Sequence, residues 1–295
     1  MKTPKYPVYV ISKGRSDVCL TAKLMTRDKV PFYLVVEPQE FDDYARFYPK
    51  EIILTLPFSN LGLGSIPARN WVWQHAKASG AERHWIWDDN ISATLYWWKG
   101  RRVVCNANLA MTEIEKFTDR YENIAIAGMN YESFTFSATT PFIRNCRVYS
   151  NLLIKNNVPF EWRGRYNEDT DLSLQVLVAG WTTVLFNAFM IRKMRTMTMK
   201  GGNTDQLYAG DGRLEMSRSL ERQWPYVVET KRKFLRPQHH VRKAWQQFDT
   251  PLIRRKDIDW AAIEKEETKM KLVQHSEIKS DHLAKVVENY NKDGK

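Results

Sequence analysis

The 295-residue chain has only three cysteines, Cys19, Cys105 and Cys146. They are odd in number, far apart and free of any CxxC pairing. This argues against a zinc site or a disulfide framework and for buried, reduced thiols in a cytoplasmic protein. Long apolar runs are lacking too: no window approaches the roughly 20 residues that a bilayer span needs. The start, Met1-Lys-Thr-Pro-Lys-Tyr6, leads straight into a strand-like run without the apolar core of a signal peptide. Secretion and membrane insertion are not expected, although peripheral contact through basic residues stays open. Neither an internal repeat nor a low-complexity tract is present, so the chain has to be read element by element.

What is there is apolar and aromatic material, at 43% and 13% of residues, enough for one large α/β domain or one domain with a helical appendage. The net charge of +11 is uneven: residues 213–256 carry twelve Lys or Arg against four Asp or Glu. Such a block suits a polyanion, since each neutralised phosphate releases condensed counterions. Nucleic acid comes first, an anionic lipid surface second, and a basic face with no partner third.

The first two-thirds alternate strand-like and helix-like stretches, the mark of an α/β layer fold. Strands are predicted at 8–11, 32–36, 51–56, 82–87, 124–129, 140–149 and 182–186. Helices are predicted at 18–28, after the glycine-rich run Leu61-Gly-Leu-Gly-Ser-Ile-Pro67 as far as Gly80, and at 172–179. The basic region reads as helices with aromatic spacing, and the lysine- and glutamate-rich tail beyond Trp260 as a solvated helix. The expected division is a domain over 1–205 and a basic helical region over 206–295, packed on the first.

Asp88, Asp89 and Asn90 end an apolar strand at a sheet's carboxyl edge, where open α/β folds bind ligands. Three oxygen-bearing side chains there suit Mg2+ or Mn2+ and a diphosphate, or form a simple Asp-Asn turn. Glu168, Asp169 and Asp171 open a helix. They supply either a general base, with Asp169 the choice and Glu168 its helper, or helix capping, which explains Asp171 most simply. Arg15 and Arg69 lie in anion-binding positions or form surface pairs. Ser12 and Glu37 are weaker candidates for meeting the ribose or base of a nucleotide, and Lys13 is the second cation of the turn that carries Arg15.

Together the runs Tyr9-Val-Ile-Ser-Lys-Gly-Arg15, Val35-Val-Glu-Pro38, Gly64-Ser-Ile-Pro-Ala-Arg-Asn-Trp71, His84-Trp-Ile-Trp-Asp-Asp-Asn-Ile91 and Asn167-Glu-Asp-Thr-Asp-Leu172 resemble the TET/JBP-associated glycosyltransferases, phage-type enzymes of GT-A fold that act on hydroxymethylated pyrimidines in DNA. The resemblance covers residues 5–205. It implies a GT-A-like, Rossmann-like mixed sheet flanked by helices, and a UDP-sugar donor held by Ser12, Lys13, Arg15, Glu37, Arg69 and Asp88. It also implies Mn2+ or Mg2+ on Asp89 and Asn90, and a base in the Glu168–Asp169 pair. Many GT-A enzymes add a late histidine to the metal; the corresponding stretch, 197–204, has none, which leaves either Asn203 as a substitute or a metal held by one or two side chains and the diphosphate.

The chemistry so implied is an inverting single displacement, in which a hydroxymethyl oxygen of cytosine or uracil attacks the anomeric carbon as Asp169 takes its proton. For the DNA, Trp97 and Trp98 beside Lys99, Arg101 and Arg102 offer stacking next to cations, and Arg144 and Arg147 are further acceptor candidates. Lys231, Arg232, Arg236, Arg242 and Lys243 form the phosphate-tracking set, with His239 and His240 exposed among them. Three rivals remain: a protein or glycan acceptor, a metal-dependent nuclease, and a non-catalytic DNA-binding module.

Overall fold

The computed structural model describes residues 2–98, 100–135, 140–194, 212–233, 236–242 and 245–266. The β-branched run Val8–Ile11 is β1, helix α1 is Leu20–Asp28, and β2 is Tyr33–Val36. A short helix α2, Phe41–Ala45, and the strand β3, Ile53–Thr55, follow. Helix α3, Ile66–Ala78, takes Pro67 in its first turn, where the missing N–H costs nothing. Next come β4, Arg83–Asp88; β5, Ile91–Trp98; β6, Arg101–Cys105; and α4, Ala107–Thr118, whose cap Asn106 accepts from the Asn108 N–H at 2.9 Å.

Strands β7, Ile124–Tyr131, β8, Phe142–Arg144, and β9, Asn151–Lys155, precede helix α5, Glu168–Val178, and the long strand β10, Thr182–Lys193. The remaining elements are α6, Gly212–Gln223; β11, Val228–Lys233; β12, Arg236–Val241; and α7, Trp260–Glu266.

One ten-stranded sheet runs in the order β3-β2-β1-β4-β9-β7-β10-β5-β6, with β8 also paired to β10. Strand β1 is parallel to β2 and β4, while β9 lies antiparallel between β4 and β7, so the sheet is mixed. The α/β reading with helices on both faces holds. Strand alternation divides the core in two. Val8, Val10, Leu34, Trp85 and Trp87 face one cluster with α1 and α4; Tyr9, Val35 and Ile86 face the other with α3 and α5. Trp85 and Trp87 are almost wholly buried, each stabilising by about 1.5–3 kcal/mol. Gly128 of β7 is fixed by space: a Cβ there would stand 2.2 Å from the Asn151 carbonyl oxygen.

The structure departs from the sequence reading in several places. The hairpin β5–β6, helix α4 and strand β9 were not foreseen. Of 140–149 only Phe142–Arg144 is strand, and β10 runs seven residues beyond Phe186. Helix α5 begins at Glu168, so the acids lie inside its first turn. The basic stretch is not all helical: after α6 it forms the antiparallel hairpin β11–β12. Consecutive charges at 231–233 hide the two-residue period that Val228 and Val241 establish by burying against Leu220 and Leu174 of α5. Through that small core α6 and the β11–β12 hairpin pack on α5. Cys19 and Cys105 are buried and Cys146 half-buried, all as free thiols. Among the described residues no helix is long and apolar enough to cross a membrane.

Candidate active site

The period of β4 sorts the acidic pair. Trp85 and Trp87 face the α1 layer, whereas Ile86 and then Asp88 face α3 and α5. Asp88 Oδ1 accepts from Arg69 Nη2 at 2.9 Å and Oδ2 accepts from Lys193 Nζ at 2.6 Å. Burial opposes its charge, but the Lys193 ammonium and the Arg69 guanidinium outweigh that and hold the carboxyl down at about 2.

Arg69, on the first turns of α3, is the centre of the cluster. It is buried, donates through Nε to Ser65 Oγ at 3.1 Å, and stacks over the Trp162 ring at 4.5 Å. Its terminal nitrogens also lie 3.8 Å from Glu168 Oε1 and 3.6 Å from Asp169 Oδ1. Glu168 accepts a further bond from Ser65 Oγ at 3.1 Å. Asp169 is different, because its Oδ1 is buried without a hydrogen-bond partner. Burial, reinforced by the charges of Glu168 and Asp88, overrides Arg69 and Lys193 and pushes its carboxyl up to about 7. That is where a general base for neutral-pH chemistry should titrate. Asp171 points away: Arg163 binds both of its oxygens, and Trp224 Nε1 donates to Oδ1 at 2.7 Å.

Asp89, one residue beyond Asp88, turns to the opposite side. Its Oδ1 accepts from Arg15 Nη1 at 2.5 Å and its Oδ2 from Ser12 Oγ at 2.8 Å. Tyr44 closes this network, donating to Ser12 Oγ at 2.6 Å and accepting from the Arg15 backbone N–H at 3.1 Å. Thr21 of α1 pins the turn, donating to the Asp88 carbonyl at 2.5 Å and accepting from the Ile91 N–H at 2.9 Å. Ser12, Arg15 and Asp89 are all buried. They secure the β1 loop to the β4 turn, and both Asp89 oxygens, expected on a metal, are engaged there by Arg15 and Ser12.

Lys13 donates to both oxygens of Glu37 at 2.9 Å and to Asn60 Oδ1 at 3.2 Å. The pair flanks a cleft lined by Leu56, Phe58, Leu61, Gly64 and Pro67. Gly62 and Gly64 hold φ of 69° and 68°, left-handed values that favour glycine in the turn beside the cleft.

The acceptor candidates scatter. Trp97 packs with Ala93, Leu95 and Met190; Trp98 is 55% exposed at the far end of β5, roughly 23 Å along the strand from Ile91. Neither reaches the carboxylates. Arg147 stacks over Tyr149 at 4.6 Å and donates to Thr170 of α5 at 3.5 Å, whereas Arg144 contacts the Thr250 carbonyl and Asp249. Lys231, Arg232, Arg236 and Arg242 are exposed on or beside the hairpin, with Lys231 and Arg242 near Glu229. His239 and His240 are half-buried rather than exposed; burial and the nearby Arg147 push His239 down to about 4. Lys99, Asn203 and Lys243 lie outside the described residues.

The sequence profile of the TET-associated glycosyltransferases matches residues 6–202, about two-thirds of the chain, and spans every residue from Ser12 to Lys193 in this cluster. The chain belongs to the TET-associated glycosyltransferase family. Among solved structures it is similar to one from Desulfovibrio desulfuricans G20 assigned as a nucleotide-diphospho-sugar transferase. Identity is 10%, over 62% of this chain and 80% of that one, with a TM-score of 0.36. No curated protein matches it.

For a glycosyltransferase of this family, the question is whether a divalent cation fits at the strand end. Both oxygens of Asp88 and both of Asp89 are engaged by cationic or hydroxyl donors. Asn90 Oδ1 is buried without a partner, yet a single neutral oxygen is a poor ligand set for a hard cation. Among the described residues no three His, Cys, Asp or Glu side chains group to hold a metal. The residues do not fit one as arranged.

Sequence reasoning missed Lys193, Tyr131 and Ser150. Lys193 Nζ donates to Ser150 Oγ at 2.6 Å and to Tyr131 Oη at 3.4 Å, and those two hydroxyls lie 2.6 Å apart. The strand pairing shifts register between Arg192 and Lys193, and such a bulge re-aims a side chain. Nothing in the sequence around Lys193 signals that.

Proposed function

We propose that this glycosyltransferase moves a sugar from a UDP-sugar to the hydroxymethyl group of 5-hydroxymethylcytosine, or of hydroxymethyluracil, in DNA, inverting the anomeric centre. The observation that carries the reading is Asp169: a half-buried carboxyl with one buried, unpartnered oxygen, raised to about 7, beside Arg69 and within one cluster with Asp88 and Lys193. The acceptor hydroxyl attacks the anomeric carbon on the face opposite the leaving group while Asp169 takes its proton. Attack from that side, without a covalent enzyme intermediate, is what inverts the centre.

Glu37 at the end of β2 would accept from a uracil N–H, which releases Lys13 toward the phosphates. Glu168 keeps Asp169 basic through its adjacent charge. The acceptor is supported by the family and by the excess of Lys and Arg in residues 213–256. A base in a duplex must be reached in the major groove or flipped out, and Arg147 beside α5 stands closest of the acceptor candidates to the base helix. A nuclease needs carboxylates free for metal, and the ion pairs at Asp88 and Asp89 do not favour it. The UDP-sugar donor and the reduced thiols suit a cytoplasmic setting.

The test is to incubate the protein with a panel of UDP-sugars and DNA containing hydroxymethylcytosine or hydroxymethyluracil, then digest and weigh the nucleosides. A hexose or pentose mass gain on the modified base is expected. No gain with any donor on either base rejects the acceptor.

A further inference from the structure

Lys193 occupies Asp88, the residue that precedes the Asp89–Asn90 pair on which a divalent cation was expected. Its ammonium is largely buried, with the side chain 13% exposed, and sits 2.6 Å from Asp88 Oδ2, 2.6 Å from Ser150 Oγ and 3.4 Å from Tyr131 Oη. Its nitrogen also lies 5.6 Å over the Tyr131 ring. The Met194 N–H donates to the Asn90 carbonyl at 3.0 Å, tying the end of β10 directly to the turn after Asp88. A fixed ammonium and a divalent ion cannot share one carboxylate oxygen without strong like-charge repulsion at contact distance. The second cation on Asp88, Arg69, is held by Ser65 and Trp162, so the carboxylate is neutralised from both sides by the protein itself.

We propose that Lys193 replaces the divalent metal, so that transfer in this enzyme does not depend on a metal ion; this rests on the sugar-nucleotide reading above. As the bond between the anomeric carbon and the β-phosphate oxygen breaks, the electron pair stays on that oxygen, and the Lys193 ammonium stabilises the charge. The acceptor oxygen forms the new bond, its proton goes to Asp169, and UDP departs. Asp88 orients the ammonium, and Ser150 and Tyr131 fix its approach. A preorganised cation serves the developing charge without reorganising at the moment of reaction.

The test is calorimetric binding of UDP to the full chain with EDTA and with Mn2+, alongside transfer assays and Mn2+ electron paramagnetic resonance. For the unaltered protein, UDP affinity and transfer rate should agree within about twofold in the two conditions, with no Mn2+ bound. Lys193→Met should weaken UDP at least tenfold and slow transfer about 100-fold or more in EDTA, while circular dichroism shows it folded. Lys193→Arg should retain most UDP binding. With its ammonium gone, Lys193→Met frees Asp88 and should regain UDP affinity when Mn2+ is added. UDP binding that requires Mn2+ in the unaltered protein, or Lys193→Met that binds UDP normally in EDTA, overturns this proposal alone. No UDP binding in either condition overturns the donor reading beneath it as well.

Discussion

Asp88 and Asp89 are neighbours at the end of one strand, and they have opposite surroundings. Asp88 faces α3 and α5, partly exposed, in a cluster with Arg69, Lys193, Glu168 and Asp169. Asp89 faces α1, buried in a closed network of Arg15, Ser12 and Tyr44. The difference is the strand's two-residue period continued one step past its end. It teaches that a pair of acids in sequence is not a pair in space. In the function proposed above, one belongs to the chemistry and the other to the architecture that holds it.

The contrast can be strained from both sides. On the Asp88 side, Asp169→Asn should lower kcat by about 100- to 10,000-fold, the usual worth of a general base, measured with a UDP-sugar and a hydroxymethylcytosine oligonucleotide. The same change should raise the melting temperature. The raised folded-state pKa means that the folded protein holds this proton more tightly than the unfolded chain. Stability from that proton is complete below about 4, the unfolded carboxyl value, and is lost as pH climbs through about 7. An amide removes the buried charge, a gain of roughly 1–2 kcal/mol.

On the other side, Asp89→Asn should cost about 3–5 kcal/mol by breaking a buried ion pair with Arg15, a fall in melting temperature on the order of 10 °C. An Asp89→Asn protein that melts normally yet fails to transfer sugar would reverse the assignment of the two residues. Third comes pH. Since only the ionised base works, kcat/KM should fall about tenfold per unit below about 7. Glu168→Gln removes a neighbouring negative charge and should move that limb to lower pH; an unmoved limb would mean that another group titrates. The smallest effect is Tyr44→Phe, which deletes the donor to Ser12 and should cost about 1 kcal/mol, read as a shift in the urea midpoint with transfer rate unchanged.

Much of this was legible in the sequence. The β-branched run at 8–11, the proline in the first turn of α3 and the acids opening α5 each carry a local physical signal, and the order of the motifs pointed to the family. Ser12, Arg15, Arg69, Asp88 and Asp169 were all singled out, but their partnerships were not. Whether Arg15 meets a phosphate or Asp89 depends on which side of the sheet the turn after β4 faces, and residue type does not say. Lys193 was invisible because a bulge rather than a motif aims it. The hairpin β11–β12 was mistaken for helix because three successive cations cover its alternation. Trp98 shows the converse: next to a motif in sequence, it is carried far from that motif by an extended strand.

The packing of α6 and β11–β12 on α5 has a consequence for where the protein can be cut. The recognisable family region stops at residue 202, yet Leu174, on the helix that presents Asp169, buries against Leu220, Val228 and Val241 beyond that point. Trp224 and Arg163 clamp Asp171 on the same helix. A fragment trimmed at the limit of similarity would leave an apolar patch on α5 open to water and Asp171 without its indole donor. The border of common ancestry is therefore not a border of independent folding, and expression work on such chains should keep α6 and the β11–β12 hairpin.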